Sequence, residues 1–213
     1  MVSGFVDTAN KMSLVTGAGD TDSILAIVPV QVKAKNGNKV VTSYAFLDPG
    51  STATFCTEEL MSELSLRGKK INSLLTTMGD QKTVKTNLIT DLEVSSLEGC
   101  NFIALREVFS QTTIPANKGN IPLQKDVKRW PHLQGVRIPH IDAEIGLLIG
   151  TNVPRAMEPE EVIKSADDGP YTVKTVLGWT VNGPLKEGSC EPTTDRVAYD
   201  TSNRISVAKL DEL

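Results

Sequence analysis

The stretch AFLDPGST, residues 45–52, carries an apolar run directly into an acid, a proline, a glycine and two hydroxyl residues. One interpretation is an ordinary turn after a strand, because Asp, Pro, Gly and Ser are the commonest turn residues. The other is a catalytic carboxylate, Asp48, held at the tip of a buried strand. The sequence on both sides of the stretch bears on this choice.

The residues before the stretch predict a β-hairpin. Apolar residues occupy every second position from Ile24 to Val32, which is the period of a strand. Asn36-Gly37 then supplies the positive φ angles of a tight hairpin turn. Residues 40–47 are the predicted return strand, which therefore ends at Asp48.

The residues after the stretch predict more short strands. The predicted elements are a helix at 57–66 capped by Thr57, a long hairpin at 71–90 that turns at 79–81, a second hairpin at 91–109, a buried strand at 141–150, a short helix at 152–157, and two strands at 171–185 broken near Gly178. This pattern predicts a mainly β fold, closed or sandwiched, with one or two short helices.

Composition divides the chain into three parts. Residues 1–22 are small and polar and predict a flexible lead-in, residues 23–187 predict the folded domain, and residues 188–213 predict a polar tail or linker. Residues 110–140 contain several prolines and no long apolar run, so they predict an irregular insertion in the domain.

Charge and composition argue against several partners. The formal net charge is −4 and only 5% of the residues are aromatic, so nucleic acid is not expected as a partner of this domain. No apolar run is long enough to cross a bilayer, and the first residues do not have the pattern of a secretory signal. The three cysteines form no CxxC pair, which favours a reducing, cytoplasmic location.

Motifs of several enzyme classes are absent from the sequence. It has no GxSxG elbow, phosphate loop or dinucleotide fingerprint. His132 and His140 do not have zinc spacing, so we expect no metal and no cofactor. Cys56 precedes the predicted helix, whose N-terminus would favour a nucleophilic thiolate. A cysteine in this place is more often a small packed apolar residue, and both interpretations stay open.

Acids remain as candidate catalytic groups. Two carboxyl groups that share one proton can activate water and polarise a carbonyl, because like charges about 3 Å apart cannot both ionise. Asp48 at a strand end suits this chemistry. Gly50 lets its N–H approach the carboxylate, and the Ser51 hydroxyl can add a hydrogen bond that holds the carboxylate.

The order of the motifs resembles the retropepsins, the aspartic proteases of retroviruses and retrotransposons. The shared features are an apolar strand, Asp-x-Gly-Ser at 48–51, a short helix, a long hairpin and the later apolar run LLIG at 147–150. More narrowly, three stretches are similar to the protease region of BEL/Pao-type retrotransposon polyproteins: RWPHL at 129–133, GLLIGTNVPRAMEP at 146–159 and GPYTVKTVLGWTVNGPL at 169–185. The resemblance covers roughly residues 24–185.

This resemblance implies a closed, retropepsin-like barrel with one lobe per chain, which would process its polyprotein in the cytoplasm or inside retroelement particles. The implied site consists of a catalytic loop, a supporting second loop and a flap over an extended peptide substrate. Its residues are the catalytic Asp48, Gly50 and Ser51, the supporting Pro49, Leu148, Ile149 and Gly150, and the flap tip at Met78, Gly79, Asp80 and Gln81.

The number of such motifs implies a homodimer. A two-lobed, pepsin-like chain would carry two Asp-[Thr/Ser]-Gly motifs, but this chain has one candidate, at 48–50. The second carboxyl group would therefore come from Asp48 of a second copy at a two-fold axis. Retropepsins are homodimers, so the resemblance agrees.

Pro49 departs from the family pattern. Thr or Ser usually stands between the Asp and the Gly, and its hydroxyl joins the two active-site loops across the dimer. Proline has neither a hydroxyl nor an N–H, so this bond cannot form in the usual way. The alternative is therefore a catalytically inactive retropepsin-fold module for dimerisation or peptide binding.

Overall fold

The computed structural model describes residues 23–76, 82–165, 169–184 and 206–209. The predicted lead-in at 1–22 and the predicted flap tip, Met78, Gly79, Asp80 and Gln81, lie outside the described residues. The strands are β1 (Ser23–Ile24), β2 (Ile27–Ala34), β3 (Val40–Leu47), β4 (Phe55–Thr57), β5 (Lys69–Thr76), β6 (Lys82–Ser96), β7 (Ile103–Gln111), β8 (Ile145–Ile149), β9 (Glu161–Ile163), β10 (Tyr171–Thr175), β11 (Gly178–Pro184) and β12 (Ser206–Lys209). The helices are α1 (Glu58–Glu63), α2 (Gln124–Val127) and α3 (Pro154–Met157), with 3-10 turns at Lys118–Asn120 and Pro131–Leu133.

Six strands close into a barrel. Their order is β6, β2, β3, β8, β4 and β7, and β7 pairs back to β6. The β3–β8 and β4–β7 pairs are parallel, and the other barrel pairs are antiparallel. The prediction of a mainly β, closed fold with few short helices is thus confirmed.

Strand alternation divides the apolar residues of the barrel between two buried clusters. The first takes residues from all six strands, including Val30, Leu105 and Leu147, which are fully buried. Their neighbours on the opposite strand faces, such as Tyr44 and Leu148, belong to the second cluster. Both faces of β8 are therefore buried, which explains its uninterrupted apolar sequence.

The predicted hairpin before Asp48 forms. β2 and β3 pair from Ile27↔Phe46 to Lys33↔Val40, and Asn36 adopts a positive φ of 63° in the turn, whereas Gly37 does not adopt the positive φ predicted for it. This register places Leu47 at the last position of β3. The hairpin consequently delivers Asp48 to the end of the barrel next to the end of β8.

The helix after the loop also forms, but it is shorter than predicted. The Thr57 hydroxyl accepts a hydrogen bond from the Leu60 amide at 3.2 Å, as expected of an N-cap. α1 ends at Glu63 instead of residue 66, and Ser65 has a positive φ of 56°. The preceding strand β4 was not predicted.

The predicted break between two hairpins at residues 90 and 91 is wrong, because β6 is one strand from Lys82 to Ser96. Its first half pairs with β5, and its second half pairs with β2 and β7. The Asp91 carboxylate accepts hydrogen bonds from the Lys35 ammonium and the Glu107 amide, both at 3.0 Å. Asp91 therefore joins neighbouring strands across an irregularity in the β6–β7 register instead of forming a turn.

The insertion at 110–140 packs on a second, smaller sheet. This sheet has the order β1-β11-β10-β9, and β9 is not among the strands that the sequence predicts. Leu133 and Val136 of the insertion share a buried cluster with Val181 of β11. The side chain of His132 lies 3.0 Å from the Pro170 carbonyl oxygen, which further holds the insertion against the sheet.

Residues Ser206–Lys209, within the predicted polar tail, form a strand. β12 pairs antiparallel with β5, from Ser206↔Thr76 to Lys209↔Ser73. The eight-stranded sheet that contains the barrel therefore has β12 as its outermost strand.

Candidate active site

Asp48 lies where two parallel strands end together. Its amide donates a hydrogen bond to the Ile149 carbonyl, the last residue of β8, at 2.9 Å. One residue earlier, the Leu47 amide donates to the Ala26 carbonyl at 2.9 Å. These bonds fix the backbone of Asp48, and the residue as a whole is only 9% exposed.

The loop after Asp48 folds back on its carboxylate. The Gly50 amide donates to Asp48 Oδ1 at 2.9 Å, and the Ser51 amide donates to the Asp48 carbonyl at 3.2 Å. Pro49 is exposed at the outside of this turn. The expected approach of the Gly50 N–H to the carboxylate is present in the structure.

The environment favours a protonated Asp48. Burial raises the pKa of the Asp48 carboxyl above its ordinary value of 3.8, and the hydrogen bond from the Gly50 amide partly offsets this rise. No other acid among the described residues contributes to this shift. A raised pKa shifts the Asp48 carboxyl group towards its protonated form relative to an exposed Asp, which is the direction that a general acid requires.

The Ser51 side chain has a different role from the predicted one. Its hydroxyl donates to the Ala53 carbonyl at 2.7 Å and accepts from the Ala53 amide at 3.3 Å. Ser51 is fully buried, so these bonds satisfy a hydroxyl that water does not reach. Ser51 thus shapes the loop beneath Asp48 instead of holding the carboxylate through its hydroxyl.

The predicted supporting run lies directly against this loop. Leu148 and Ile149 are buried in β8, and a Cβ added to Gly150 would lie 2.3 Å from the Ala53 carbonyl oxygen. Glycine is needed here because that separation is far below a van der Waals contact. The structure therefore brings Leu148, Ile149 and Gly150 together with the Asp48 loop.

Three hydroxyl and amide residues that the sequence analysis did not single out join the two loops. Thr151 donates to the Ser51 carbonyl through its amide at 2.8 Å and its hydroxyl at 3.0 Å. The Thr54 hydroxyl donates to Asn152 Oδ1 at 2.8 Å and accepts from the Gly150 amide at 3.3 Å. The sequence signal for these contacts is the hydroxyl-rich run beside Asp48. The residues that bind this run lie about 100 positions later in the chain, so the sequence does not show which residues they are.

A buried polar network holds the arms of the predicted flap hairpin. The Ser73 hydroxyl of β5 donates to Asn87 Oδ1 of β6 at 2.5 Å, and Asn87 Nδ2 donates to the Ser110 carbonyl of β7 at 2.6 Å. All three side chains are nearly inaccessible to solvent. The network links the hairpin to the barrel wall, and sequence analysis did not find it.

The structure gives Cys56 the surroundings of a core residue. Cys56 belongs to the first buried cluster, and burial raises the pKa of its thiol to about 12. The two histidines have other partners: His140 Nδ1 lies 3.1 Å from the Tyr44 hydroxyl, and His132 contacts Pro170. These features argue against a Cys56 nucleophile, since such a residue needs an accessible thiolate.

The described part of the chain offers no group of three or more His, Cys, Asp or Glu residues that could hold a metal ion. Within the same residues, no helix is long and apolar enough to cross a membrane.

Comparison with known proteins adds no family assignment. No protein-family model, curated protein or solved structure matches this chain. The barrel and the geometry around Asp48 are therefore the features that bear on function.

Proposed function

We propose that this chain is an aspartic endopeptidase of the retropepsin type, which cleaves an extended peptide within a retrotransposon polyprotein. The observation that carries the proposal is the Asp48 carboxyl group, buried at the joined ends of β3 and β8 and contacted by the Gly50 amide. A strand end fixed by backbone hydrogen bonds positions a carboxyl group more rigidly than a free loop does.

The proposed catalytic unit contains two chains. Acid–base hydrolysis of a peptide needs one carboxylate to activate water and one protonated carboxyl group to polarise the carbonyl. Asp48 supplies one such group per chain, and no second acid of the described residues influences its pKa. Asp48 of a second copy is therefore the proposed partner.

In the proposed reaction, the ionised Asp48 takes a proton from water, and the resulting nucleophile attacks the scissile carbonyl carbon. The protonated Asp48 of the other chain donates its proton to the carbonyl oxygen. Breakdown of the tetrahedral intermediate transfers a proton to the leaving nitrogen and regenerates the shared-proton pair. Two nearby carboxyl groups suit this cycle because repulsion keeps one of them protonated.

An inactive binding module is the alternative, and Pro49 is the observation that favours it. Pro49 is exposed and has no hydroxyl or N–H with which to join the loops of two chains. The intrachain bonds from Thr151 to the Ser51 carbonyl supply another support for the loop, so the proposal does not require a bond from residue 49.

Cleavage of a diverse peptide library at mildly acidic pH tests the proposed activity. The wild-type chain is expected to cleave a subset of peptides, and an Asp48→Asn variant of the same fold is expected to cleave none. If both proteins are folded and dimeric but neither cleaves, the inactive module is favoured. Sedimentation of the chain with a substrate-like inhibitor tests the dimer, which is rejected if the protein stays monomeric at high concentration.

A further inference from the structure

β9 is the outermost strand of the smaller sheet. Its inner side pairs with β10, from Glu161↔Lys174 to Ile163↔Thr172, and its outer side faces no described strand. Ile163 packs against the apolar cluster between this sheet and the insertion, so β9 is anchored to the fold. The outer side therefore presents backbone N–H and C=O groups at a fixed position, and such an edge accepts another strand at a reduced entropic cost.

The opposite face of the sheet carries exposed apolar side chains at this edge. Val162 lies opposite Val173, and Tyr171 is two positions before Val173, so all three side chains are on one face. Val162 is 48% exposed and Tyr171 is 43% exposed, which is unusual for large apolar residues in the described part of the chain. A partner that continues the sheet would bury part of this apolar surface, and that burial favours association.

The charges beside β9 indicate which partner fits this edge. Glu160 and Lys164 are both exposed, and each lies two positions from Val162, on the same face of the strand. Neither makes an ion pair with another described residue. When a second copy of β9 pairs antiparallel with Val162 opposite its own equivalent, Glu160 of each chain lies opposite Lys164 of the other. The edge is thus complementary in charge to itself.

This arrangement of charges differs from one that prevents strand addition. Charged residues on an edge strand often protect it from pairing with another chain. Here the two signs stand symmetrically about Val162, so antiparallel pairing brings opposite charges together. A parallel pair in the same register would place Glu160 opposite Glu160 and Lys164 opposite Lys164. Because opposite charges on facing strands are stabilising and like charges are destabilising, the edge favours the antiparallel orientation.

We propose that the outer edge of β9 binds the same edge of a second copy of this chain, in antiparallel register about Val162. The contact joins the smaller sheets of two chains into one continuous sheet with a two-fold axis at Val162. Main-chain hydrogen bonds hold the two strands together, and two Glu160–Lys164 ion pairs fix their register. The contact uses none of the residues at Asp48, so it goes beyond the proposed peptidase activity and does not depend on it. A chain that uses both contacts assembles beyond a dimer.

Disulfide formation at the axis tests this contact. All samples carry Cys100→Ser and Cys190→Ser, so that the buried Cys56 is the one native cysteine left. Val162→Cys places each new thiol opposite its own equivalent, within reach of a disulfide, because facing Cα atoms of antiparallel strands are about 4.5–5.5 Å apart. Tyr171→Cys is the matched control, since Tyr171 is similarly exposed but lies one strand further from the axis in each chain.

We expect Val162→Cys to form a covalent dimer at least about tenfold faster than Tyr171→Cys under mild oxidation, as measured on non-reducing gels. Mass spectrometry of the digested dimer should identify a disulfide between residue 162 of two chains. Urea denaturation under reducing conditions reports whether both variants keep the fold of the wild type. Equal rates of covalent dimer formation by the two folded variants would overturn the proposed contact.

Charge exchange in the Val162→Cys protein provides the second readout. Glu160→Lys alone, or Lys164→Glu alone, places like charges opposite each other twice in each dimer. Disulfide formation should then be about three- to tenfold slower at low salt. The two changes together restore opposite charges and should restore the original rate.

Glu98→Lys, at an exposed position in the turn between β6 and β7, is the control for net charge and should leave the rate unchanged. Single changes at Glu160 and Lys164 that leave the rate unchanged would overturn the proposal. A combined change that forms the disulfide no faster than the single changes would overturn it as well, because the proposed register makes the exchanged pair equivalent to the original one.

Discussion

Gly150 lies so close to Ala53 that a Cβ on Gly150 would be 2.3 Å from the Ala53 carbonyl oxygen. This approach joins the loop that follows β8 to the loop that follows Asp48. The same two loops are linked by the Thr151 amide and hydroxyl, both of which donate to the Ser51 carbonyl. The position of Asp48 is therefore set by backbone packing as well as by hydrogen bonds.

Gly150→Ala should destabilise the protein, because the new methyl group must displace the backbone of the Asp48 loop. We expect the free energy of unfolding to fall by about 1–3 kcal/mol, measured by urea denaturation. Gly135→Ala is the matched control, since a Cβ at exposed Gly135 meets no atom within 4 Å. Equal stability of the two variants would show that the contact does not constrain the loop.

Asp48→Asn should change how stability depends on pH. Because the folded state raises the pKa of Asp48, the stabilisation linked to its proton is complete below the ordinary value of 3.8 and is lost as pH rises through the raised value. As pH rises through this range, the free energy of unfolding of the wild type should therefore fall relative to that of Asp48→Asn. Urea denaturation at a series of pH values measures the difference.

The exposed residue Asp142 provides the control for that series. An Asp142→Asn variant, measured across the same window, gives the effect of the same Asp→Asn change at an exposed position. If the difference between the wild type and Asp48→Asn stays constant with pH, then burial does not perturb the Asp48 carboxyl group as described.

Asn87→Ala should weaken the attachment of the hairpin of β5 and β6, the predicted flap, to the barrel. Removing this side chain leaves the buried Ser110 carbonyl without the Asn87 donor and leaves the Ser73 hydroxyl only its longer bond to the Lys85 carbonyl, at a cost of about 1–3 kcal/mol in the free energy of unfolding. Asn72→Ala removes an exposed cross-strand bond to Thr86 and should cost less than about 0.5 kcal/mol. Similar losses for both variants in urea denaturation would refute a structural role for the network.

Cys56 should be unreactive in the folded protein. With Cys190→Ser in all samples, iodoacetamide should modify exposed Cys100 but leave Cys56 intact, because burial raises the pKa of the Cys56 thiol to about 12. Mass spectrometry of native and denatured samples measures the modification. A Cys56→Ala variant should retain peptide cleavage where it remains folded, whereas loss of cleavage there would support the cysteine-dependent interpretation.

Local chemistry made part of this structure predictable. Asn36-Gly37 identified the first hairpin, Thr57 identified the start of α1, and strand periodicity placed Asp48 at the end of β3. In each case the signal lies within a few residues of the element it specifies. The mainly β, closed architecture followed from the number of such elements.

Long-range pairing made the rest unpredictable. The apparent break at Asp91 disappears in the fold, where its carboxylate binds Lys35 in the turn after β2 and the backbone amide of Glu107 in β7. The sequence around residues 206–209 is polar, and these residues form a strand because they pair with β5. Likewise, the Ser51 hydroxyl could form hydrogen bonds with several nearby groups, and the conformation of the folded loop determines that it bonds to Ala53.

A catalytic Asp48 shared by two chains is tested by the rate of peptide cleavage at mildly acidic pH by the wild type and Asp48→Asn over a range of chain concentrations. We expect activity per wild-type chain to rise with concentration to a plateau, because two chains assemble one site, and we expect Asp48→Asn to have no activity at any concentration. Cleavage by folded Asp48→Asn at the wild-type rate would contradict a catalytic Asp48. Wild-type activity per chain that is constant down to concentrations where sedimentation shows only monomer would contradict a site shared by two chains.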